Sequence, residues 1–489
     1  MSVQERPNIL WIMTDEQKYT ALSCMWKNRH ESPWMHMEHL LTPNLDALAD
    51  EGILFENAYC PCPVCAPSRA SMKTGKYPAF HGAVGNWMPF RGQQKFLPAL
   101  LREQGYNTGM AGKLHFFPPE QDYGFTERHL HDAPYSIYAD DDKHSEYIKW
   151  LREEYFDAKG IDPVKLFDED EKCYDTDLKR FCMGSCFRSR QEHETVWTTD
   201  KTIEFLVQQD DEKPFFFYAS YFGPHMPYGV PEPYASLFSP DEICLPESYY
   251  QDEKKGYPVF ERTARALRRH VAESMTERDC KELIAAYLGQ IAFIDEEIGR
   301  IIQCLKKRGM YEDTVIIFTS DHGDHLGEHG LFFKSQMYDS CARVPLLIKP
   351  QRGFASVRRK EIVNTIDLFR TILEIAGMEK AYDQQEDREE LESRSLLPLL
   401  SSKEVDWDDI SFTINGRKRD SLSCMIRSKD FKLIRSGGKE DAVYEMYCIE
   451  DDPLEKYDLY GKEEYSDICN KLYRKLESWW KKQYERYEE

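Results

Sequence analysis

Short apolar runs that stop abruptly at polar or charged residues recur along the chain. Ile9-Leu10-Trp11-Ile12-Met13 stops at Thr14-Asp15-Glu16. Phe215-Phe216-Phe217-Tyr218-Ala219 stops shortly before Gly223-Pro224-His225, and Val315-Ile316-Ile317-Phe318 stops at Thr319-Ser320-Asp321-His322. Runs of this length without alternation suit strands buried on both faces of a parallel sheet. Helical spacings lie between them. Leu45-Asp46-Ala47-Leu48-Ala49-Asp50-Glu51-Gly52 places apolar residues one turn apart and ends on glycine, and Leu288 to Leu305 carries a stripe through Ile291, Ile294, Ile298 and Ile301-Ile302. Alternating strands and helices predict an α/β fold, a doubly wound, mostly parallel sheet flanked by helices. Such a fold gathers its functional residues at the carboxyl ends of the strands.

The pattern changes in three places. Residues 130–200 are rich in Asp, Glu, Tyr and Trp without a clean period, and read as an insertion near the mouth of a site. Residues 379–394 are strongly charged and read as a solvated connector. Later, the alternating runs Ser411-Phe412-Thr413-Ile414 and Phe431-Lys432-Leu433-Ile434 precede an amphipathic segment starting near residue 464. They predict a smaller α+β unit over 401–489, an antiparallel sheet plus a helix, behind a catalytic domain over 1–400.

Composition narrows the function classes. The 489 residues carry 64 Lys and Arg against 86 Asp and Glu, a net charge of −22. Nucleic-acid binding needs a basic footprint and is disfavoured. An anionic small ligand is not, because a few local cations set the sign of a pocket. No run approaches the ~18 apolar residues of a membrane span. The apolar run at 9–13 is too short for a signal-peptide core and lacks a small-residue cleavage site. The 14 cysteines are too sparse for a disulfide scaffold and read as reduced thiols in a cytoplasm.

Residues 65–75 read Cys65-Ala66-Pro67-Ser68-Arg69-Ala70-Ser71-Met72-Lys73-Thr74-Gly75. A lone cysteine beside a proline is ordinarily a structural thiol, and Cys60, Cys62 and Cys65 together could form part of a zinc knuckle, although no fourth ligand at the usual spacing is evident. The whole stretch, however, resembles the signature of the type I sulfatases, Cys-x-Pro-Ser-Arg followed by Thr-Gly, in the alkaline-phosphatase-like superfamily. The resemblance implies that a maturation enzyme oxidises Cys65 to formylglycine. One hydroxyl of the hydrated aldehyde would attack sulfur, and the second would lose its proton to expel sulfate, splitting one hard step into two. Arg69 lies one helical turn on and is expected to reach the nucleophile and the sulfate oxygens.

The same resemblance implies a divalent cation, Ca2+ or alternatively Mg2+, held by Asp15, Glu16, Asp321 and His322 beside residue 65. Glu16 stands where the family usually has a second aspartate, so it is either a ligand or a neighbour of one. Asp15 and Asp321, each closing an apolar strand, lie 306 positions apart. The run Asp324-His325-Leu326-Gly327-Glu328-His329 also looks metal-like but matches a family stretch that only scaffolds the loop. Gly112-Lys113-Leu114-His115 resembles the family's Gly-Lys-x-His motif, placing Lys113 on the sulfate oxygens and His115 at the diol. His225 in Pro224-His225-Met226-Pro227, and Lys334 after the late motif, are the candidates for protonating the leaving alkoxide. Arg69, Lys113, Lys334 and the cation together would offset charge on the transferring sulfuryl group.

The expected function is therefore hydrolysis of a sulfate ester on a sugar, an aryl group or a small alkyl such as choline. Gly112-Lys113-Leu114-His115-Phe116 is similar to the choline-sulfatase branch. Two alternatives stand: a phosphonate monoesterase or phosphodiesterase of the same superfamily, and a non-catalytic binding protein that keeps the Cys65 thiol. A homo-oligomer is compatible with either class.

Overall fold

The computed structural model describes residues 6–26, 33–34, 41–132, 145–157, 184–185, 189–210, 212–251, 265, 273, 275–352, 356–379, 390–401 and 404–487. Much of the 130–200 stretch and of the charged 379–394 connector lies outside the described residues.

Eight strands form the main sheet: β1 Asn8–Thr14, β2 Ile53–Tyr59, β3 Asn107–Gly112, β4 Glu127–Leu130, β5 Phe215–Ser220, β6 Thr314–Ser320, β7 Arg343–Lys349 and β8 Val357–Asn364. Their spatial order is β8-β2-β7-β6-β1-β5-β3-β4. All pair in parallel except β7, which runs antiparallel to β2 and β6. The three apolar runs that pattern singled out are β1, β5 and β6, neighbours at the centre, and β1 is fully buried after its first residue. Alternate residues of β1 face opposite layers, as a period of two requires. Ile9, Trp11 and Met13 join a core with Ala70, Met72, Leu368 and Phe369, whereas Leu10 and Ile12 join one with Leu45, Leu48, Ile294 and Ile298.

The covering helices are α1 Pro43–Asp50, α2 Cys65–Thr74, α3 Leu97–Glu103, α4 Glu194–Gln208, α5 Glu277–Lys307 and α6 Asp367–Ile375. The stripe read from Leu288 to Leu305 lies within α5, a helix of 31 residues. Its buried Asp295 accepts hydrogen bonds from the backbone N–H of Asn44 and Leu45, so α5 caps the exposed donors at the start of α1. A second, antiparallel sheet of four strands spans Ile410–Asn415, Ser423–Ser428, Phe431–Ser436 and Val443–Cys448. Helix α7, Ser466–Tyr484, covers it through Leu472, Leu476, Trp479 and Trp480. Its other face, with Met425, Ile434 and Tyr447, packs on Tyr59, Met337 and Tyr338 behind the main sheet's late loops.

Register sets the level at which the strands release their chains. Thr14 pairs with Ser320, while Met13 and Gly112 both pair with Ser220. The residues that follow β6, β1, β5 and β3 therefore emerge side by side. Gly112 is required there: at φ 93°, a Cβ would lie 1.9 Å from the Ser220 carbonyl oxygen.

Helix α2 is braced from outside by His81, which is fully buried. The Ala83 N–H donates to His81 Nδ1, so Nε2 carries the proton and donates to Ser71 Oγ at 3.0 Å, and Ser71 in turn donates to the Pro67 carbonyl. Burial pushes His81 down to about 3. Below its ordinary value of roughly 6.5, the unfolded chain takes up a proton that the folded one refuses, so stability falls with pH down to the folded value. Denaturant unfolding between pH 6.5 and 4 should show this loss, at most about 1.4 kcal/mol per pH unit from this residue, and His81→Gln should flatten the profile. An identical pH slope in wild type and variant would remove His81 as its source.

Candidate active site

The carboxyl ends of four adjacent strands deliver the site. Asp15 and Glu16 follow β1, Lys113 and His115 follow β3, His225 follows β5, and Asp321 and His322 follow β6. Helix α2 enters with Cys65 as its first residue, and Lys334 returns on the loop after β6. All of these except His225 are buried.

One ligand atom each from Asp15, Cys65, Asp321 and His322 lies within 4.8 Å of all the others. Cys65 Sγ is 3.7 Å from Asp15 Oδ1, 3.3 Å from His322 Nε2 and 3.2 Å from Lys334 Nζ. His322 donates its Nδ1–H to the Gly323 carbonyl at 2.9 Å, which turns Nε2 towards the cluster. A histidine ligand to a metal is commonly held this way. Two buried carboxylates, an imidazole and residue 65 fit a hard or borderline divalent ion. The other two sulfurs of the cysteine cluster point elsewhere, Cys60 to the Cys341 carbonyl and Cys62 to Asn415, so the three do not form a knuckle.

Arg69 corrects one expectation. Its Nε donates to Asp321 Oδ2 at 2.7 Å and its Nη2 to Asp15 Oδ2 at 3.0 Å. Nη1 is held by the Lys113 carbonyl, Tyr218 Oη and Ser220 Oγ. The guanidinium is fully buried and braces the carboxylates from behind; it is not directed at the substrate side. Glu16, left by the sequence as either a ligand or a neighbour of one, lies next to the quartet. Its carboxylate accepts from Lys334 Nζ at 2.9 Å and lies 3.5 Å from His225 Nε2, outside the quartet. One of its oxygens also lies within 4.8 Å of ligand atoms of Asp15 and His225.

The electrostatics follow from burial against local cations. Burial opposes ionisation of Asp15, but Lys113 at 2.7 Å, Lys334 at 3.9 Å and Arg69 hold its carboxyl well below the usual range. For Asp321 and Glu16 burial prevails over Arg69 and Lys334 respectively, and both are raised. Burial and Asp15 resist charge on Cys65, yet Lys334, Lys113 and His322 bring its thiol well below the ordinary value. Burial alone would lower Lys334, but Cys65, Glu16 and Asp15 raise it, so its ammonium stays charged. Burial and then Lys334 and Lys113 push His225 down to about 3. It is neutral, and its Nδ1–H donates to the Met226 carbonyl at 2.6 Å.

His115 has φ 61°, and neither of its buried ring nitrogens has a hydrogen-bond partner among the described residues; Trp87 meets its ring at 4.7 Å. What holds this turn is Asp132, whose Oδ1 accepts from both Leu114 N–H and His115 N–H at 2.7 Å. Pattern analysis missed Asp132 because it stands in the aperiodic stretch after 130. It also missed Tyr218 and Ser220, which lie inside a run that reads only as strand. The late acidic and histidine run is scaffolding: Asp324 accepts from Leu326 and Phe333 N–H, His325 bonds Gln336 and Ser340, and Glu328 pairs with Lys18.

Comparison with known proteins agrees with this geometry. The family described as Sulfatase matches residues 7–378, and a second description, N-sulphoglucosamine sulphohydrolase, C-terminal, matches 327–482. An arylsulfatase of Clostridium perfringens is 28% identical, covering 96% of this chain and 93% of its own. A solved structure in complex with its substrate D-glucosamine-2-N,6-O-disulfate is 25% identical with a TM-score of 0.73, covering 98% of both chains. A phosphonate monoester hydrolase of Agrobacterium radiobacter, at 23% identity and a TM-score of 0.74 over 98% of this chain and 96% of its own, shares the fold. The chain belongs to the sulfatase family, in the alkaline-phosphatase-like superfamily, and is a sulfuric ester hydrolase.

Proposed function

We propose that the enzyme cleaves sulfate esters of sugars or aryl alcohols with a formylglycine made from Cys65 and a divalent cation, Ca2+ in the first instance. The convergence of residue 65 with Asp15, Asp321, His322 and Lys334 carries this reading. Once converted, residue 65 supplies a hydrated aldehyde as the oxygen nucleophile for sulfur, and the cation supplies positive charge for the sulfate oxygens. Asp15, Asp321 and His322 would hold that cation with residue 65.

The remaining side chains divide the work. Arg69 keeps the two carboxylates at fixed orientation, so no reorganisation is needed when charge develops. Lys113, whose Nζ lies against Asp15 and 4.3 Å over the Phe222 ring, is placed to bind sulfate oxygens. His115, with two open nitrogens, accepts the proton released as the nucleophile is regenerated. Of the two leaving-group candidates, Lys334 is charged and can give up a proton. Neutral His225, its one N–H engaged by Met226, orients the departing oxygen instead. Glu16 keeps Lys334 in place. A phosphonate substrate is the alternative favoured by the shared fold, and phenyl phosphonate assayed beside p-nitrophenyl sulfate separates the two.

Mass spectrometry of the peptide containing residue 65 should show a loss of about 18 Da on conversion, and Cys65→Ala should abolish p-nitrophenyl sulfate turnover with the fold intact by circular dichroism. Comparable turnover in that variant removes the nucleophile assignment. Asp321→Asn should leave less divalent metal bound after dialysis, and undiminished metal content rejects it as a ligand. Lys334→Ala should lower kcat/KM by about 10²–10⁴-fold for an alkyl sulfate, but far less for p-nitrophenyl sulfate, whose leaving group needs no proton. Equal losses on both substrates would assign the proton elsewhere.

A further inference from the structure

A cavity of about 260 Å³ is lined in part by Met88, Pro89 and Phe90, on the segment whose Trp87 meets the His115 ring. Three arginines line it, Arg91, Arg417 and Arg486, in a chain of net charge −22. Among the described residues, neither Arg91 nor Arg417 has an acidic partner. Arg91 donates to the carbonyls of Ala79 and Arg486, and Arg486 has Glu390 at 3.5 Å. Arg417, exposed on the turn after Ile410–Asn415, has no ion pair or hydrogen bond among the described residues. Its Nε lies where a side chain at position 85 would begin: a Cβ on Gly85 would be 2.8 Å from it.

Both walls of the cavity are anchored in the catalytic segments. Asn86 Oδ1 accepts from Ala66 N–H at 3.1 Å, in the first turn of α2. Trp87, half-buried, meets the His115 ring, and Phe90 packs edge-on against Phe116 at 5.1 Å. Met88 and Phe90, which line the cavity, stand on this same segment. On the opposite side, Asn415 Nδ2 donates to the Ser335 carbonyl, beside Lys334, two residues before Arg417.

We propose that this cavity is an anion subsite of the same cleft, in which Arg417 and Arg91 receive a second sulfate or carboxylate carried on the sugar ring next to the reacting one. The inference rests on the sulfatase reading of the site and narrows its substrate to a polyanionic glycan. Guanidinium forks match planar and tetrahedral oxyanions, and several of them around one cavity do what a lone exposed arginine cannot.

The test uses the mature enzyme and p-nitrophenyl sulfate turnover as reporter, with disaccharides as competitors. One is sulfated on a single ring, its analogue on both rings, and a third carries a carboxylate in place of the second sulfate. The doubly charged competitors should have Ki values at least tenfold below the monosulfated one, with the advantage shrinking as salt rises; the sulfate and carboxylate analogues show which anion is preferred. Arg417→Ala should bring the ratio to within about twofold, as should Gly85→Ala, which keeps the charge but displaces Nε, while Arg417→Lys retains part of it. Equal Ki values in wild type, or a preference that survives both Arg417→Ala and Gly85→Ala, overturns the subsite and leaves the catalytic centre standing. Absence of p-nitrophenyl sulfate turnover in a preparation with converted residue 65 overturns the centre, and the subsite with it.

Discussion

A single buried guanidinium ties the structure together. Arg69 joins Asp15 at the end of β1 to Asp321 at the end of β6, carboxylates brought from opposite ends of the chain, and is itself wholly removed from water. Such pairs contribute little net stability, because desolvation offsets the attraction, yet losing one partner strands a charge at a cost of about 3–5 kcal/mol. Their value here is directional. Each carboxylate gives one oxygen to Arg69; the other oxygen of Asp15 faces Cys65, and that of Asp321 accepts the N–H groups of Glu16 and His322. Asp15, Glu16 and Asp321 face Arg69, Lys113 and Lys334, so the charges of the fixed side chains nearly cancel and a dication would leave the site positive towards an anionic ester.

The same rim concentrates backbone conformations that side chains avoid. Glu16, His115, Phe333 and Ser335 have φ of 66°, 61°, 65° and 105°. Each lies at or beside a residue of the cluster. Non-glycine residues persist there only when their surroundings over-determine them. Asp132 shows how this is done at His115: two N–H groups on one carboxylate oxygen fix the turn.

Much of this was legible in residue order. β1, β5 and β6 are continuous apolar runs because both faces of a central parallel strand are buried, and that pattern also marks where each strand must end. Asp15, Asp321 and His322 follow the ends of β1 and β6 directly, at the positions the family resemblance implied for ligands, while Lys113 and His225 were placed by motifs. Cys65 and Arg69 came from a motif. What Arg69 touches could not be read, since its partners depend on the stagger of strands far apart in sequence. The same is true of Glu16, whose contacts with Lys334 and His225 arise from loops more than 200 positions away. Asp132 and Trp87 left no trace, because neither stands in a periodic segment and each acts through a single tertiary contact.

One strand of the main sheet runs against the rest, and this shapes how the cleft is built. A parallel successor to β6 would have required a crossover to the far end of the sheet. Because β7 is antiparallel and adjacent, the connection over 321–342 never leaves the rim, and it carries Asp321, His322 and Lys334 along its length. Both its ends are fastened by ladder hydrogen bonds. Nearly every residue of that arc is buried, so the loop that delivers these groups is held by the sheet at both ends and by its own packing between them.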